Sequence, residues 1–188
     1  MLFKIISWIT VLILFVSCSS DKRTIMEDAA LTLHADSIAQ AVQMELISNV
    51  TRAIEKGGTA YAIDYCNTAA MSLTDSMSKA YGVQIQRITE KNRNLANVLK
   101  TSNDRTLYKM FDGQARLKDT LLYEGGKAIY YKRIHTAIPT CLGCHGDPKK
   151  DIHPETLRKI QLFYPNDSAT GYSLNAFRAM WKITFPKD

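Results

Sequence analysis

The feature that most constrains this chain is a run of five residues, Cys141-Leu142-Gly143-Cys144-His145. Two thiols separated by two residues match the two vinyl groups on one edge of a haem. The histidine that follows then stands where its imidazole reaches the iron. Because this spacing follows from the dimensions of the porphyrin, the expected cofactor is one covalently held, c-type haem. Three other readings of the same residues are weaker. A zinc site built on Cys141, Cys144 and two histidines lacks a second ligand pair at the usual spacing. A thioredoxin-like dithiol belongs in a βαβ context, which the chain does not offer. A Cys141–Cys144 disulfide would close a tight and strained loop.

The other two of the four cysteines stand far from the motif, at 18 and 66. Cys18 follows one lysine, Lys4, and an apolar run from Ile5 to Val16. This is the layout of a secretory signal, and the run is shorter than the roughly 20 residues a membrane span requires. Phe15-Val16-Ser17-Cys18 resembles the lipobox of bacterial lipoproteins, with Phe15 in place of the usual Leu-like residue. The resemblance implies cleavage before Cys18 and acylation of its sulfur, and two or more acyl chains give stable anchoring. Residues 1–17 are thus expected to be a signal peptide and residues 18–24 an acylated tether. The expected location is extracytoplasmic, on the periplasmic side, with the lipid anchor in the membrane. Covalent haem attachment in bacteria follows export, so this address agrees with the motif.

The 188 residues carry 24 Lys+Arg against 18 Asp+Glu, and 46% are hydrophobic, which excludes a disordered or collagen-like chain. Loss of the signal removes Lys4 alone and lowers the net charge from +6 to +5. No basic cluster interleaved with aromatics suggests a nucleic-acid face, so no nucleic-acid partner is expected. The length suits one domain, over 25–188.

Within that domain Thr24-Ile25-Met26-Glu27 fits a capping box. Leu31, Ala35, Ile38, Val42, Leu46 and Ala53 then fall on one helical stripe that ends at Lys56-Gly57-Gly58. A second helix is expected from Thr59 to just before Gly82, with Ile63, Cys66, Ala70 and Leu73 on one face. Val83 to Thr89 reads as a strand, and a short helix is expected around Arg105 to Phe111. Leu117–Tyr123 and Lys127–His135 read as a hairpin turning at Glu124-Gly125-Gly126. Trp181, Ile183 and Phe185 alternate with Lys182 and Thr184, the pattern of a half-buried strand. Helices first and antiparallel strands afterwards predict an α+β fold with a long N-terminal helix.

The residue opposite His145 decides what an iron here would do, since thiolate, imidazole and thioether ligands set different potentials. The residues leave several candidates: His34, His135, His153, the methionines and Cys66. His153 precedes Pro154 and looks like a helix cap. His135 ends a strand and would need a sharp reversal. Cys66 lies on the apolar side of its helix beside Ala62, Ala69 and Ala70, although a single buried cysteine is often just a small hydrophobe.

From about residue 25 onward the chain resembles the PAS-like, c-type haem-binding domains found as small bacterial haem proteins and as sensory ends of histidine kinases. The residues carrying this resemblance are Ala62-Ile63 with Cys66, Arg87, Arg93-Asn94 with Asn97, Tyr131, Cys141 to Gly146, and Tyr164 to Tyr172. Leu95, Val98, Arg133 and Ala179 depart from the family's usual prolines and glycine. The resemblance implies an antiparallel sheet flanked by helices, and a haem ligated by His145 and Cys66. Arg87 or Arg93 would meet a haem propionate, and Tyr131 and Tyr172 would be packing residues beside the pocket. With both axial positions filled no site for a substrate remains, so enzymatic chemistry is not expected. The expectation is low-potential single-electron transfer with a redox partner protein; the alternative is a redox or gas sensor that signals through a partner.

Overall fold

The computed structural model describes residues 25–187, apart from the side chains of residues 70 and 71. Cys18, the lipobox and Thr24 of the capping box lie outside the described residues. The chain order is helix α1 (Ile25–Tyr81), strand β1 (Gln84–Ile88), helix α2 (Ser102–Gly113), strands β2 (Asp119–Glu124) and β3 (Lys127–His135), helices α3 (Leu142–His145) and α4 (Pro154–Phe163), and strand β4 (Phe177–Thr184). The fold is α+β, as the element order predicts, and it is compatible with a PAS-like arrangement. Its one sheet has the strand order β1-β4-β3-β2, with every pairing antiparallel.

The two helices expected to meet at Lys56-Gly57-Gly58 run on as α1, broken where expected. Gly58 has φ 73°, a left-handed conformation that favours glycine, while Gly57 sits so close to the next turn that a Cβ there would lie 2.8 Å from Tyr61 Cβ. The break redirects the chain so that both segments pack on the same domain. Thr59, just after it, shares a 2.6 Å hydroxyl hydrogen bond with Thr156 of α4. The β2–β3 hairpin closes through Gly125 and Gly126, both with positive φ, as a two-residue loop of this twist requires.

Both faces of the sheet are covered. On one, Ala35, Ile38, Val42 and Leu46 of α1 pack on Ile85, Tyr130, Trp181 and Ile183. On the other, Leu107, Tyr108 and Phe111 of α2 pack on Ile88, Tyr131, Phe177 and Met180. Successive strand residues point to opposite faces, and β3 uses this to hold both helices. The Tyr130 hydroxyl donates to Asp36 of α1 at 2.9 Å, and the Tyr131 hydroxyl donates to Asp104 of α2 at 2.8 Å.

Strand β4 departs from the sequence expectation. Alternation predicts one wet face, yet every residue from Phe177 to Ile183 is buried. Lys182 is only 8% exposed because α2 covers the face it points to, and its Nζ lies 2.8 Å from Asp104 Oδ1. The helix supplies a buried carboxylate where solvent was expected.

Candidate functional site

A 3-10 turn over Pro139–Cys141 leads into the four-residue helix α3, so that Cys141, Cys144 and His145 share one short turn. The motif's glycine and the glycine after it follow from crowding. A Cβ on Gly143 would come within 3.1 Å of Thr59 Cγ2, and one on Gly146 within 2.4 Å of Asp151 Oδ2. The second contact is costly because Asp151 Oδ2 already accepts the Asp147 N–H at 2.7 Å. The turn is therefore seated against the break in α1 and against the loop that follows it.

The segment between α4 and β4 holds the motif from its other side. Tyr172 N donates to His145 O at 2.9 Å, and Gly171 N donates to Gly146 O at 2.8 Å. His145 Nδ1 lies 2.8 Å from the Ala169 carbonyl oxygen. A carbonyl only accepts, so Nδ1 carries the proton and Nε2 keeps its lone pair. Burial, reinforced by Arg178 and Arg93, holds this imidazole well below its usual pKa, so it is neutral. Tyr172 stands edge-on to the imidazole, with ring centroids 6.4 Å apart. The side chain is thus presented as a neutral nitrogen donor, oriented through its other nitrogen in the way metal-bound histidines are.

His145 opens onto a cleft with about 1160 Å³ of atom-free space, its mouth included. One wall is α1: Leu46, Ile47, Val50, Thr51 and Ile54 before the break, and Ala62, Ile63 and Cys66 after it. Across from them the cleft is lined by Ile138, Thr140, Cys141, Cys144, His145 and Tyr164, and by three arginines, Arg87, Arg93 and Arg178. The structure thus brings all six candidate residues, Cys66, Arg87, Arg93, Cys141, Cys144 and His145, to one cavity. Cys66, Cys141 and Cys144 are free thiols and partly buried. Burial pushes the Cys66 thiol up, opposed by Arg87 and Arg93, and it pushes Cys144 up to about 11.

The other candidate ligands lie elsewhere. His34 packs near Phe185, His135 is exposed at the end of β3, and His153 accepts from Glu155 N as the cap of α4. Among the described residues none of them, and no methionine, lines the cleft. No three His, Cys, Asp or Glu side chains among the described residues are gathered closely enough for a metal ion.

The arginines differ in what they do. Arg93 is already engaged: Nε and Nη2 reach Asp167 at 3.1 and 3.3 Å, and Nη2 donates to the Cys144 carbonyl at 2.6 Å. It ties the motif to the 164–172 segment and has little left for a ligand. Arg178 is 9% exposed and donates from Nη1 to the Lys91 carbonyl at 3.0 Å, while its buried Nε has no partner. Arg87 has no hydrogen bond or ion pair among the described residues, and burial pulls its pKa down. Sequence reasoning missed Arg178; an arginine between Phe177 and Ala179, just before the alternating part of the last strand, was the available signal. Tyr131 proves to be a packing residue on the far face, bonded to Asp104 and away from the cleft.

Three guanidinium groups and one carboxylate, Asp167, leave two positive charges without a counter-charge at the cleft. Leaving a buried charge uncompensated costs several kcal/mol, so the cleft is built for a ligand that is apolar in its body and anionic at its edge.

The model of the Tll0287-like family matches residues 21–186. A crystal structure of the cyanobacterial heme-protein Tll0287 is similar in fold, with a TM-score of 0.66 at 21% identity over 88% of this chain and 98% of that one. No curated protein matches the chain. A family match over this span is decisive, and the chain belongs to the Tll0287-like family.

Proposed function

We infer that this chain is a haem protein of the c type. Cys141 and Cys144 would hold the haem through thioethers, and His145 and Cys66 would supply the donors to its iron. The observation that carries the reading is the cleft itself, where an oriented neutral histidine, three free cysteines and two uncompensated arginines meet beside an apolar helix wall. The relative's description as a heme-protein supports the same reading. The residues fit the group on three counts. Both motif thiols line the cleft, the free nitrogen of His145 is a donor, and the charge left over matches a macrocycle bearing two carboxylates. Arg178 and Arg87 are the residues with donors to spare for those carboxylates; Arg93 acts through Asp167 and the Cys144 carbonyl.

When bound, haem supplies an iron that exchanges one electron between its ferric and ferrous states. The rest is the work of the chain. Ala169 holds the proton of His145 at Nδ1, so Nε2 stays available. The Cys66 side chain, as thiolate, would favour the ferric state and a low potential. Leu46, Val50, Ile54 and Ile63 exclude water from the interior of the cleft. With His145 and Cys66 both held to the iron no position would be left for a substrate, and the reading is therefore an electron carrier. The same reading places the protein outside the cytoplasm, tethered by acylated Cys18 and exchanging electrons with a partner protein.

A sensor is the second reading, and one observation favours it. Cys66 sits on the α1 segment that follows the Gly57–Gly58 break, so loss of this ligand would act on a helix already jointed there. Carbon monoxide added to the reduced protein separates the two. A carrier with both positions held excludes it, whereas a sensor binds it rapidly and releases Cys66.

A further inference from the structure

A second cavity lies beside the cleft, between the later segment of α1, strand β1 and the 3-10 turn at Leu95–Asn97. Its volume is about 340 Å³, at the lower end of the range of small-molecule sites. The two cavities share Leu46, Arg87 and Asn97. Asn97 is 8% exposed, and its side-chain amide has no hydrogen-bond partner among the described residues. Arg87, half-buried between the two cavities, is likewise unpaired among the described residues. An amide and a guanidinium facing a cavity in this way have donors free for a ligand or water there.

The lining states what kind of ligand suits it. Exposed Asp75 and Lys79 stand at the mouth and offset one another, so Arg87 is the one net charge inside. That selects a monoanion and disfavours phosphate esters. A planar guanidinium pairs bidentately with a carboxylate, and Asn97 adds one more donor. Leu46, Ile85 and Ala96 leave an apolar wall for a short aliphatic tail. We propose that this side chamber binds a short-chain monocarboxylate, gripped by Arg87 and Asn97. Arg87 has five N–H donors, enough to serve a carboxylate here and another in the cleft. Occupancy of the chamber is thereby felt at the cleft through one shared side chain.

The test is calorimetric titration of the purified full chain, carrying its haem, with acetate and butyrate as probes. Saturable one-to-one binding is expected, with butyrate tighter than acetate by about fourfold per buried methylene. Arg87→Gln should weaken butyrate at least tenfold, and Lys79→Gln about twofold or less. Ala96→Phe fills the chamber from an exposed wall position without touching Arg87, and should also abolish binding; this keeps the test sharp if Arg87→Gln fails to fold. Absence of saturable binding, or binding unchanged by both Arg87→Gln and Ala96→Phe, overturns the proposal. Haem content, read from the absorption spectrum of the same samples, reports separately on the haem reading.

Discussion

Asp104 is the residue on which the far side of the sheet depends, and Asp104→Asn probes it while hardly changing shape. Its carboxylate accepts four hydrogen bonds. Lys182 Nζ and the Tyr131 hydroxyl reach Oδ1 at 2.8 Å each, and the Lys100 and Thr101 backbone N–H groups reach Oδ2 at 3.0 Å each. Asparagine offers one acceptor oxygen, so it keeps one of these pairs and turns its NH2 toward the donors of the other. It also removes the counter-charge of Lys182, which is 8% exposed. Breaking a buried pair from one side costs about 3–5 kcal/mol. At about 2–4 °C per kcal/mol for a chain of this size, the melting temperature should fall by about 6–20 °C. The assay is urea unfolding followed by circular dichroism, on Asp104→Asn, Lys182→Met and the double variant. The double variant should regain at least about 1 kcal/mol relative to Asp104→Asn, because the stranded lysine is gone. A loss below about 1 kcal/mol for Asp104→Asn, or strictly additive effects, would refute the reasoning.

The same carboxylates set a pH dependence. Burial raises the pKa of Asp104 and of Asp36, but hydrogen bonds from Lys182, Thr101 and Tyr131 to the first, and from Lys132, Tyr130 and Gln40 to the second, outweigh it and leave both below their ordinary value of 3.8. Their contribution is present above the unfolded carboxylate range and lost as pH falls through the lower folded values, so the urea midpoint should drop below about pH 4, less steeply in Asp104→Asn. A midpoint flat from pH 5 to 2.5 would contradict this. Gly146→Ala should cost about 1–3 kcal/mol, since the new methyl meets the Asp151 side chain; a thermal melt matching wild type would show that the loop yields. Cys66→Ala should abolish a thiolate-type low-spin ferric spectrum, and an unchanged spectrum would assign the sixth position to another donor.

Much of this architecture is legible in local signals. Gly57-Gly58 mark the break in α1, Glu124-Gly125-Gly126 the hairpin, and His153-Pro154 the start of α4, because each depends on the conformational limits of a few residues. What is not legible depends on neighbours distant in sequence. Lys182 reads as solvent-facing because nothing near it reveals that α2 brings Asp104 over that face. The two arginines named from the resemblance divide for the same reason: Asp167, 74 residues away, takes Arg93 and leaves Arg87 unpaired. Arg178 is hidden by the strand that carries it, and the Ala169 carbonyl that orients His145 is a backbone atom with no signature in residue type.

The central claim is that the cleft holds a haem bonded covalently to Cys141 and Cys144. The most direct measurement is the absorption spectrum of the reduced pyridine complex of the purified chain, taken before and after extraction with acidified acetone. The account predicts that the haem signal stays with the polypeptide, with the band position of a bis-thioether haem, and that it is lost when both cysteines are replaced by alanine. A chain without haem, or a haem that passes into the solvent, would contradict it.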